Sequence, residues 1–364
     1  MDTEKNIKSP RQNKKKLIGN VIFFLVMVIV VLIVIFSLND IQKVIEVLKT
    51  SNLWFILLAL VIAMVHMFST NFALHFITTG LGSKLKFSKS INIANSEYLF
   101  NAITPFSSGG QPVQAYFYMQ NGLTGDEAVS TLTSNFIIYQ VVLTIFSTVG
   151  LIIFYKDVQN SLQNLTFIII IGYIINTLIL VGLILVSTVP YFKNFLRGIF
   201  KLLGKIKWIQ NPMKRLEDRT FKFVEDYQRE VKQLFTRKRV LIGASLLRLL
   251  GLFALNSIPA VLFMSFGIKI SVYEFFMITM MTAFASCFLM WIPTPGASGG
   301  IEWAFTVLFG TFIASKVSTE GTPIIIAALL LWRFLTYYLG ILSGMGSYIY
   351  LNKTRKPEKE YEAL

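Results

Sequence analysis

Charged residues are scarce in this sequence, and reactive residue types are scarcer still. Asp, Glu, Lys and Arg make up 15% of its 364 residues, against roughly 25% in an ordinary soluble domain. The one cysteine, Cys287, excludes an internal disulfide bond and a cysteine-based metal site. Two histidines do not form a zinc site without help from carboxylates. This composition excludes a soluble globular enzyme, a disordered chain and a fibrous repeat.

The signatures of nucleotide and peptide hydrolysis are absent as well. The sequence contains no Walker motif, no GxSxG and no HExxH, so ATP-driven transport or hydrolysis within this chain is unsupported. We expect no cofactor and no metal ion.

Long apolar runs are what the chain has in abundance. Hydrophobic residues make up 54% of it, with 32 Phe among them, and the mean hydropathy is +0.62. A hydrocarbon core of about 30 Å takes about 20 helical residues to cross. The sequence therefore predicts an all-α polytopic membrane protein with six full transmembrane helices, and the first is read as a retained anchor rather than a signal peptide. These spans are 17–38, 53–79, 128–155, 165–190, 240–267 and 322–351.

Basic charge is concentrated between the spans. The formal net charge is +15, and segment 193–239 alone holds 14 basic and 5 acidic residues. An anionic lipid surface is therefore a better partner for this charge than nucleic acid. Under the positive-inside rule, segment 193–239 and both tails, 1–16 and 352–364, are cytoplasmic. We expect a multi-pass protein of the bacterial cytoplasmic membrane.

Segment 193–239 also shows apolar residues at helical spacing. This pattern predicts amphipathic helices that lie on the inner leaflet. The alternative is a solvated orientation signal without a helical fold. The apolar positions are Phe195, Ile199, Leu202 and Leu203, then Phe221, Val224, Tyr227, Val231 and Leu234.

Two further apolar stretches, 91–120 and 272–315, are interrupted by proline and paired glycines. Proline removes a helical hydrogen bond and clashes with the preceding turn, and glycine adds conformational freedom. Each stretch therefore predicts two half-helices joined by a turn, which is a re-entrant hairpin.

The two interruptions are similar to each other. Residues 104–110 (TPFSSGG) and 294–300 (TPGASGG) share five of seven residues in the pattern T-P-x-x-S-G-G. By the charge accounting, the first hairpin lies between a span that runs inward and one that runs outward, and the second has the opposite surroundings. This predicts an inverted repeat, about 53–155 and 240–351, within one membrane domain, 17–351. Transporters with such repeats bind substrate near the midplane, where broken helices meet.

The turns are the first candidate substrate site. A restarting helix presents free N–H groups and a positive dipole end, which favour anions such as phosphate. The alternative is that these residues only permit the bend. The candidate residues for a lipid headgroup are Ser107, Ser108, Gly109, Gly110, Gln111, Gln114, Ser298, Gly299 and Gly300.

Four charged residues fall inside apolar stretches. Arg248 and Arg333 lie within the fifth and sixth spans, where a charge costs roughly 2.5–3.5 kcal/mol. They are candidate headgroup ligands because the guanidinium fork binds phosphate oxygens. Glu97 and Glu302 are the candidates for charge coupling. We expect at least one Arg–Glu pair across the repeats, and structural pairing alone is the alternative reading.

His66 and His75 lie in the second span. Their spacing places them on opposite sides of one helix, so they do not bind one metal ion together. A lone membrane histidine is usually a helix–helix hydrogen-bonding group, with a proton relay as the alternative.

At the two interruptions the chain resembles the lysylphosphatidylglycerol synthase transmembrane-region family, the flippase-like membrane domain of multiple peptide resistance factor proteins. Segments 101–122 (NAITPFSSGGQPVQAYFYMQNG) and 291–310 (WIPTPGASGGIEWAFTVLFG) carry the resemblance. Many relatives have Glu and Arg where this chain has Gln111 and Gln114, and a charged pair in the following span is replaced by neutral residues such as Asn135 and Gln140. The resemblance implies lipid translocation and a link to antimicrobial peptide resistance.

The leading hypothesis is a flippase that moves a phospholipid, aminoacyl-phospholipid or glycolipid between leaflets. The alternative is the membrane part of a phosphatidylglycerol lysyltransferase-type enzyme, although bifunctional relatives carry a soluble catalytic domain that we do not expect here. Anionic lipids are the expected partners. A separate lipid synthase and a second copy of the chain are further candidates.

Overall fold

The computed structural model describes residues 41–162, 166–188, 197–198, 200–201, 210–289, 292, 294–317 and 321–354. Across these ranges every regular element is a helix, and none is a β-strand. The predicted first span, 17–38, lies outside the described residues, as do residues 1–16 and 355–364.

The first half of the described chain contains three long apolar helices, the first two of which flank a helical hairpin. Helix α1 (Ile41–Lys49) precedes α2 (Leu53–Gly80), whose first turn is capped by the Asn52 side chain. Hairpin 1 consists of α3 (Phe87–Ala102), a 3₁₀ turn (Pro105–Ser107) and α4 (Gly110–Gln120). Helices α5 (Gly125–Leu162) and α6 (Thr166–Thr188) follow.

The second half repeats this order. The basic segment contains α7 (Gln210–Thr236), and α8 (Lys238–Ser265) comes next. Hairpin 2 consists of α9 (Val272–Leu289), a 3₁₀ turn (Pro295–Ala297) and α10 (Gly300–Lys316). The last helical segment is α11 (Gly321–Arg333), a π-helical turn (Phe334–Tyr338) and α12 (Leu339–Lys353).

Four of the predicted spans correspond to helices that are long and apolar enough to cross a membrane. These are Leu53–Gly80, Gly125–Asn160, Lys238–Ser265 and Gly321–Lys353. The predicted span 165–190 is helix α6, whose 23 residues extend over about 34 Å at 1.5 Å per residue. The polytopic helical class is therefore confirmed.

The helices pack in reciprocal pairs. The first long helix of each half, α2 and α8, pack against each other. Helix α3 of hairpin 1 packs against α12, which follows hairpin 2, and α9 of hairpin 2 packs against α5, which follows hairpin 1. The two 3₁₀ turns also contact each other. Such exchange of partners is the contact pattern of two repeats related by a pseudo-two-fold axis.

Helix α7 confirms a helix in the basic segment. Val224, Val231 and Leu234 from the predicted apolar face are buried, and α7 packs against α5, α6 and α8. Leu216 and Phe235 of the same helix are exposed, and its position on the inner leaflet stays a prediction. Of the earlier apolar positions, Phe195, Ile199, Leu202 and Leu203 lie outside the described residues.

Candidate functional site

The two turns, which we call tip 1 (104–110) and tip 2 (294–300), share a backbone conformation at their third and fourth residues but differ at the sixth, where φ is −78° at Gly109 and 86° at Gly299. The third residue of each motif has a positive φ, 54° at Phe106 and 57° at Gly296. The fourth also does, 49° at Ser107 and 51° at Ala297. The shared sequence pattern therefore encodes one shared turn. The Cα atoms of the two 3₁₀ turns lie within 8 Å of each other, so the predicted contact between the tips is confirmed.

Side chains already bind the backbone N–H groups of tip 1. Gly109 N donates to Thr104 Oγ1 at 2.8 Å, and Gly110 N donates to Asn101 Oδ1 at 2.8 Å. Pro112, in the first turn of α4, has no N–H. The helix start that the sequence offers as a free anion site is thus largely occupied by uncharged acceptors from the protein.

Glu97 is the centre of the hydrogen bonds behind tip 1. Its two carboxylate oxygens accept from Asn101 Nδ2 and Gln114 Nε2, each at 3.1 Å. Gln114 is fully buried and also donates to the Ala94 carbonyl. A Cβ atom on Gly110 would lie 2.5 Å from Glu97 Cγ, so the close approach of α4 to Glu97 requires this glycine.

Tip 2 is fastened by a salt bridge. Arg333 donates to Glu302 Oε1 from Nε at 2.8 Å and from Nη2 at 2.7 Å. Its Nη1 donates to the Gly296 carbonyl at 3.1 Å. The other oxygen of Glu302 accepts from Gly299 N at 2.7 Å. One ion pair therefore closes both ends of the turn.

The expected Arg–Glu pair exists, but it does not cross the repeats. Arg333 and Glu302 both belong to the second repeat, because the pair joins α10 to the end of α11. Glu97 and Arg248 belong to different repeats and interact electrostatically at longer range. No direct salt bridge joins those two in the described part of the chain.

Arg248 is held by neutral groups and retains unused hydrogen-bonding capacity. The residue is 7% exposed, its Nη2 donates to Asn135 Oδ1, and its guanidinium lies 5.7 Å from the ring centre of Tyr139. Its buried Nε has no partner among the described residues, and neither does the buried Oε1 of Gln114. These atoms are free to bind a polar group that enters this region.

The predicted headgroup residues divide into an exposed and an enclosed set. Ser107, Ser108, Gln111 and Gly299 are exposed, while Gly109, Ser298 and Gly300 are partly buried. Gly110, Gln114, Arg248 and Arg333 are buried. The tip residues are thus largely exposed or partly buried, whereas Gln114 and the two arginines are enclosed by the protein.

Three residues at this site were not predicted from the sequence. Asn101 follows Glu97 by four residues, a helical spacing that places both on one face and is a usable signal. Asn135, noted only as a neutral replacement, is the hydrogen-bond partner of Arg248. Tyr337 contacts both hairpins, and nothing in the local pattern indicates that.

The two histidines differ: His66 makes a hydrogen bond between helices, whereas the buried Nδ1 of His75 has no partner among the described residues. His66 Nδ1 hydrogen-bonds the Gly251 carbonyl at 2.8 Å and so joins α2 to α8, which confirms the helix–helix reading. His75 packs edge-on against the Phe87 ring, with centres 5.0 Å apart. No group of His, Cys, Asp and Glu suited to a metal ion occurs within the described ranges.

Comparison of the chain with known proteins finds similarity to membrane proteins. The model of the family described as "Lysylphosphatidylglycerol synthase TM region" matches residues 18–344, which include both tips and both arginines. A protein of Archaeoglobus fulgidus described as a UPF0104 membrane protein is 22% identical over 329 residues. That alignment covers 85% of this chain and 90% of the archaeal protein.

Proposed function

We propose that this chain, which belongs to the lysylphosphatidylglycerol synthase transmembrane-region family, is a flippase that moves an anionic lipid between the leaflets of a membrane. Its cargo is a phospholipid, an aminoacyl-phospholipid or a glycolipid. It acts in the bacterial cytoplasmic membrane with both termini and the basic segment in the cytoplasm. The hairpins are re-entrant and enter from opposite faces.

The observation that carries this proposal is the contact between two broken-helix tips from reciprocally packed repeats. Non-helical backbone at membrane depth is tolerated only within protein or beside a water-filled cavity. The contact between the tips, with the exposed Ser107 and Ser108 beside it, is therefore where we place the path of the cargo headgroup.

The two arginines have different roles in this proposal. Three donor groups of Arg333 are used by Glu302 and tip 2, so this side chain mainly fastens the turn. Arg248 uses Nη2 for Asn135, and its buried Nε has no partner among the described residues. Arg248 is therefore the main ligand for a phosphate-containing headgroup, and Glu97 balances its charge when no headgroup is bound.

Reconstitution tests the function. Purified protein is placed in vesicles of phosphatidylcholine and phosphatidylglycerol that carry a trace of fluorescent phosphatidylglycerol, and dithionite quenching reports leaflet exchange. Labelled aminoacyl-phospholipid and glycolipid are used in parallel. We expect folded protein to accelerate the exchange of at least one lipid, and exchange at the protein-free rate for all of them would overturn the proposal.

Arg248→Gln tests the role of the buried arginine. The change keeps a donor for Asn135 but removes the charge, and a hydrogen bond to a charged group contributes about 1.5–3 kcal/mol. We therefore expect exchange to slow by roughly 10- to 100-fold. Arg239→Gln is the matched control, because it removes the same charge from an exposed position and is expected to leave exchange unchanged.

The enzyme alternative is tested with the same preparation. Phosphatidylglycerol and lysyl-tRNA are added, and lysyl-lipid formation is followed by thin-layer chromatography. Formation of that product by the purified chain would favour the lysyltransferase function.

A further inference from the structure

A π-helical turn interrupts the last membrane helix beside the site. Residues Phe334–Tyr338 form this turn immediately after Arg333, and Leu339 N donates to the Phe334 carbonyl five residues before it. Single π turns within α-helices insert an extra residue and re-aim side chains, and they are frequent at functional sites. Here the turn directs Tyr337 toward the two tips.

Tyr337 contacts both hairpins. Its hydroxyl donates to the Ala102 carbonyl at the end of α3, at 3.2 Å. Its ring lies so close to Gly296 of tip 2 that a Cβ atom there would collide with it. The guanidinium of Arg333, which fastens tip 2, lies 5.0 Å from the centre of the same ring. One side chain therefore connects the end of the first arm of hairpin 1 to the turn of hairpin 2.

The helices on either side of the π turn are attached to different hairpins. After the turn, Ser343 and Ser347 of α12 accept hydrogen bonds from Asn95 of hairpin 1, at 3.0 and 2.8 Å. Before it, Arg333 of α11 binds Glu302 and Gly296 of hairpin 2. A change of bend at the π turn would move the two hairpins relative to each other.

We propose that Tyr337 is the positioning residue that holds the two tips together, and that the tips separate by bending at the π turn to admit the cargo headgroup. The opening step rests on the transport function proposed above. The contact of Tyr337 with both hairpins is independent of it. Arg248 is 7% exposed with the tips together, so a headgroup needs such an opening to reach it.

Thiol accessibility measures tip separation without reference to transport. Ile103, between α3 and tip 1, is buried and follows the carbonyl that Tyr337 holds. Ile103→Cys is introduced with Cys287→Ser, and its rate of reaction with a small water-soluble methanethiosulfonate is measured in nanodiscs. This rate is proportional to the population with separated tips.

We expect Tyr337→Phe to raise the labelling rate about fivefold, the factor that corresponds to one net hydrogen bond of about 1 kcal/mol. Tyr338→Phe is the matched control. Tyr338 lies in the same turn and is similarly half-buried, but its hydroxyl bonds neither tip, so we expect no change. Native Cys287, which is fully buried in α9, reports general loosening and should keep its rate in the Tyr337→Phe variant.

Two results would overturn the proposal. One is an unchanged rate at position 103 in Tyr337→Phe, and the other is an equal rise at position 103 and at Cys287, since that indicates loosening of the whole fold. Lipid exchange is measured on the same variants. A labelling shift without any lipid exchange by the unaltered chain would reject transport and leave the tip contact in place.

Discussion

At the scale of single residues, the two tips contain strained backbone positions and exposed side chains. Three of the five positive-φ positions in the two tips are occupied by residues other than glycine, a conformation that costs an L-residue roughly 1–2 kcal/mol. Phe106 is the extreme case, because its large apolar side chain is 55% exposed and gains little from packing. Backbone strain that side-chain packing does not offset indicates a role other than folding. We infer that Phe106 contacts the acyl chains of a lipid at the site.

Phe106→Gly separates folding from function. Tip 1 then has the residue that tip 2 already has at this place, so we expect the free energy of unfolding in detergent to stay the same or rise by up to about 1 kcal/mol. Lipid exchange should slow about fivefold, as loss of roughly 1 kcal/mol of apolar contact would cause. Phe106→Leu is the control that keeps an apolar side chain. Equal exchange by all three proteins would contradict the inferred lipid contact.

Sequence reasoning located both tips but not what binds their backbone. Proline and paired glycines interrupt a helix wherever they occur, so the sequence alone predicts both turns. The capping of Gly110 by Asn101 depends on how closely α3 and α4 approach each other, which no local pattern records. The pairing of Arg333 with Glu302, instead of with a carboxylate of the other repeat, depends likewise on which helix lies beside α10.

At the scale of elements, close packing of α3 on α12 positions hairpin 1. Gly340 and Gly344 form a G-x-x-x-G pattern, which allows two helix backbones to approach closely in a membrane. A Cβ atom on Gly344 would lie 2.8 Å from Leu99 N and 3.1 Å from the Asn95 carbonyl. The pattern is readable in the sequence, although the identity of its partner helix is not.

Gly344→Val should therefore weaken the fold and displace hairpin 1. Overpacking of a tight contact typically costs about 1–3 kcal/mol, to be measured by reversible unfolding in mixed micelles. Gly346→Val, two residues along the same helix, is the matched control. A Cβ atom at Gly346 meets nothing within 4 Å, so we expect a change within about 0.5 kcal/mol. Similar losses in both variants would show that helix α12 simply does not tolerate valine.

At the scale of the whole molecule, the reciprocal packing has a consequence for topology. If the repeats are inverted, the loop before α5 and the loop after α8 face opposite sides of the membrane. The first loop leads into Asp126 and Glu127 in the first turn of α5, and the second loop contains Lys269; all three residues are exposed. Charge counting predicted this orientation from the basic segments, and it stays a prediction.

Single cysteines test the orientation. In a Cys287→Ser background, Glu127→Cys should react with an impermeant maleimide only from the cytoplasmic side, and Lys269→Cys only from the opposite side. Intact cells and inverted vesicles provide the two exposures. Reaction of both positions from one side would refute the inverted arrangement while leaving the helix contacts as described.

Because α3 packs against α12 and α9 packs against α5, each half of the chain contributes a long helix that supports the hairpin of the other half. Two fragments produced separately, divided between α6 and α7, would each leave a hairpin arm without the surface that supports it. Synthesised in the same cell, they should find each other and assemble, whereas either one alone should be degraded. We therefore expect each half to fold only in the presence of the other.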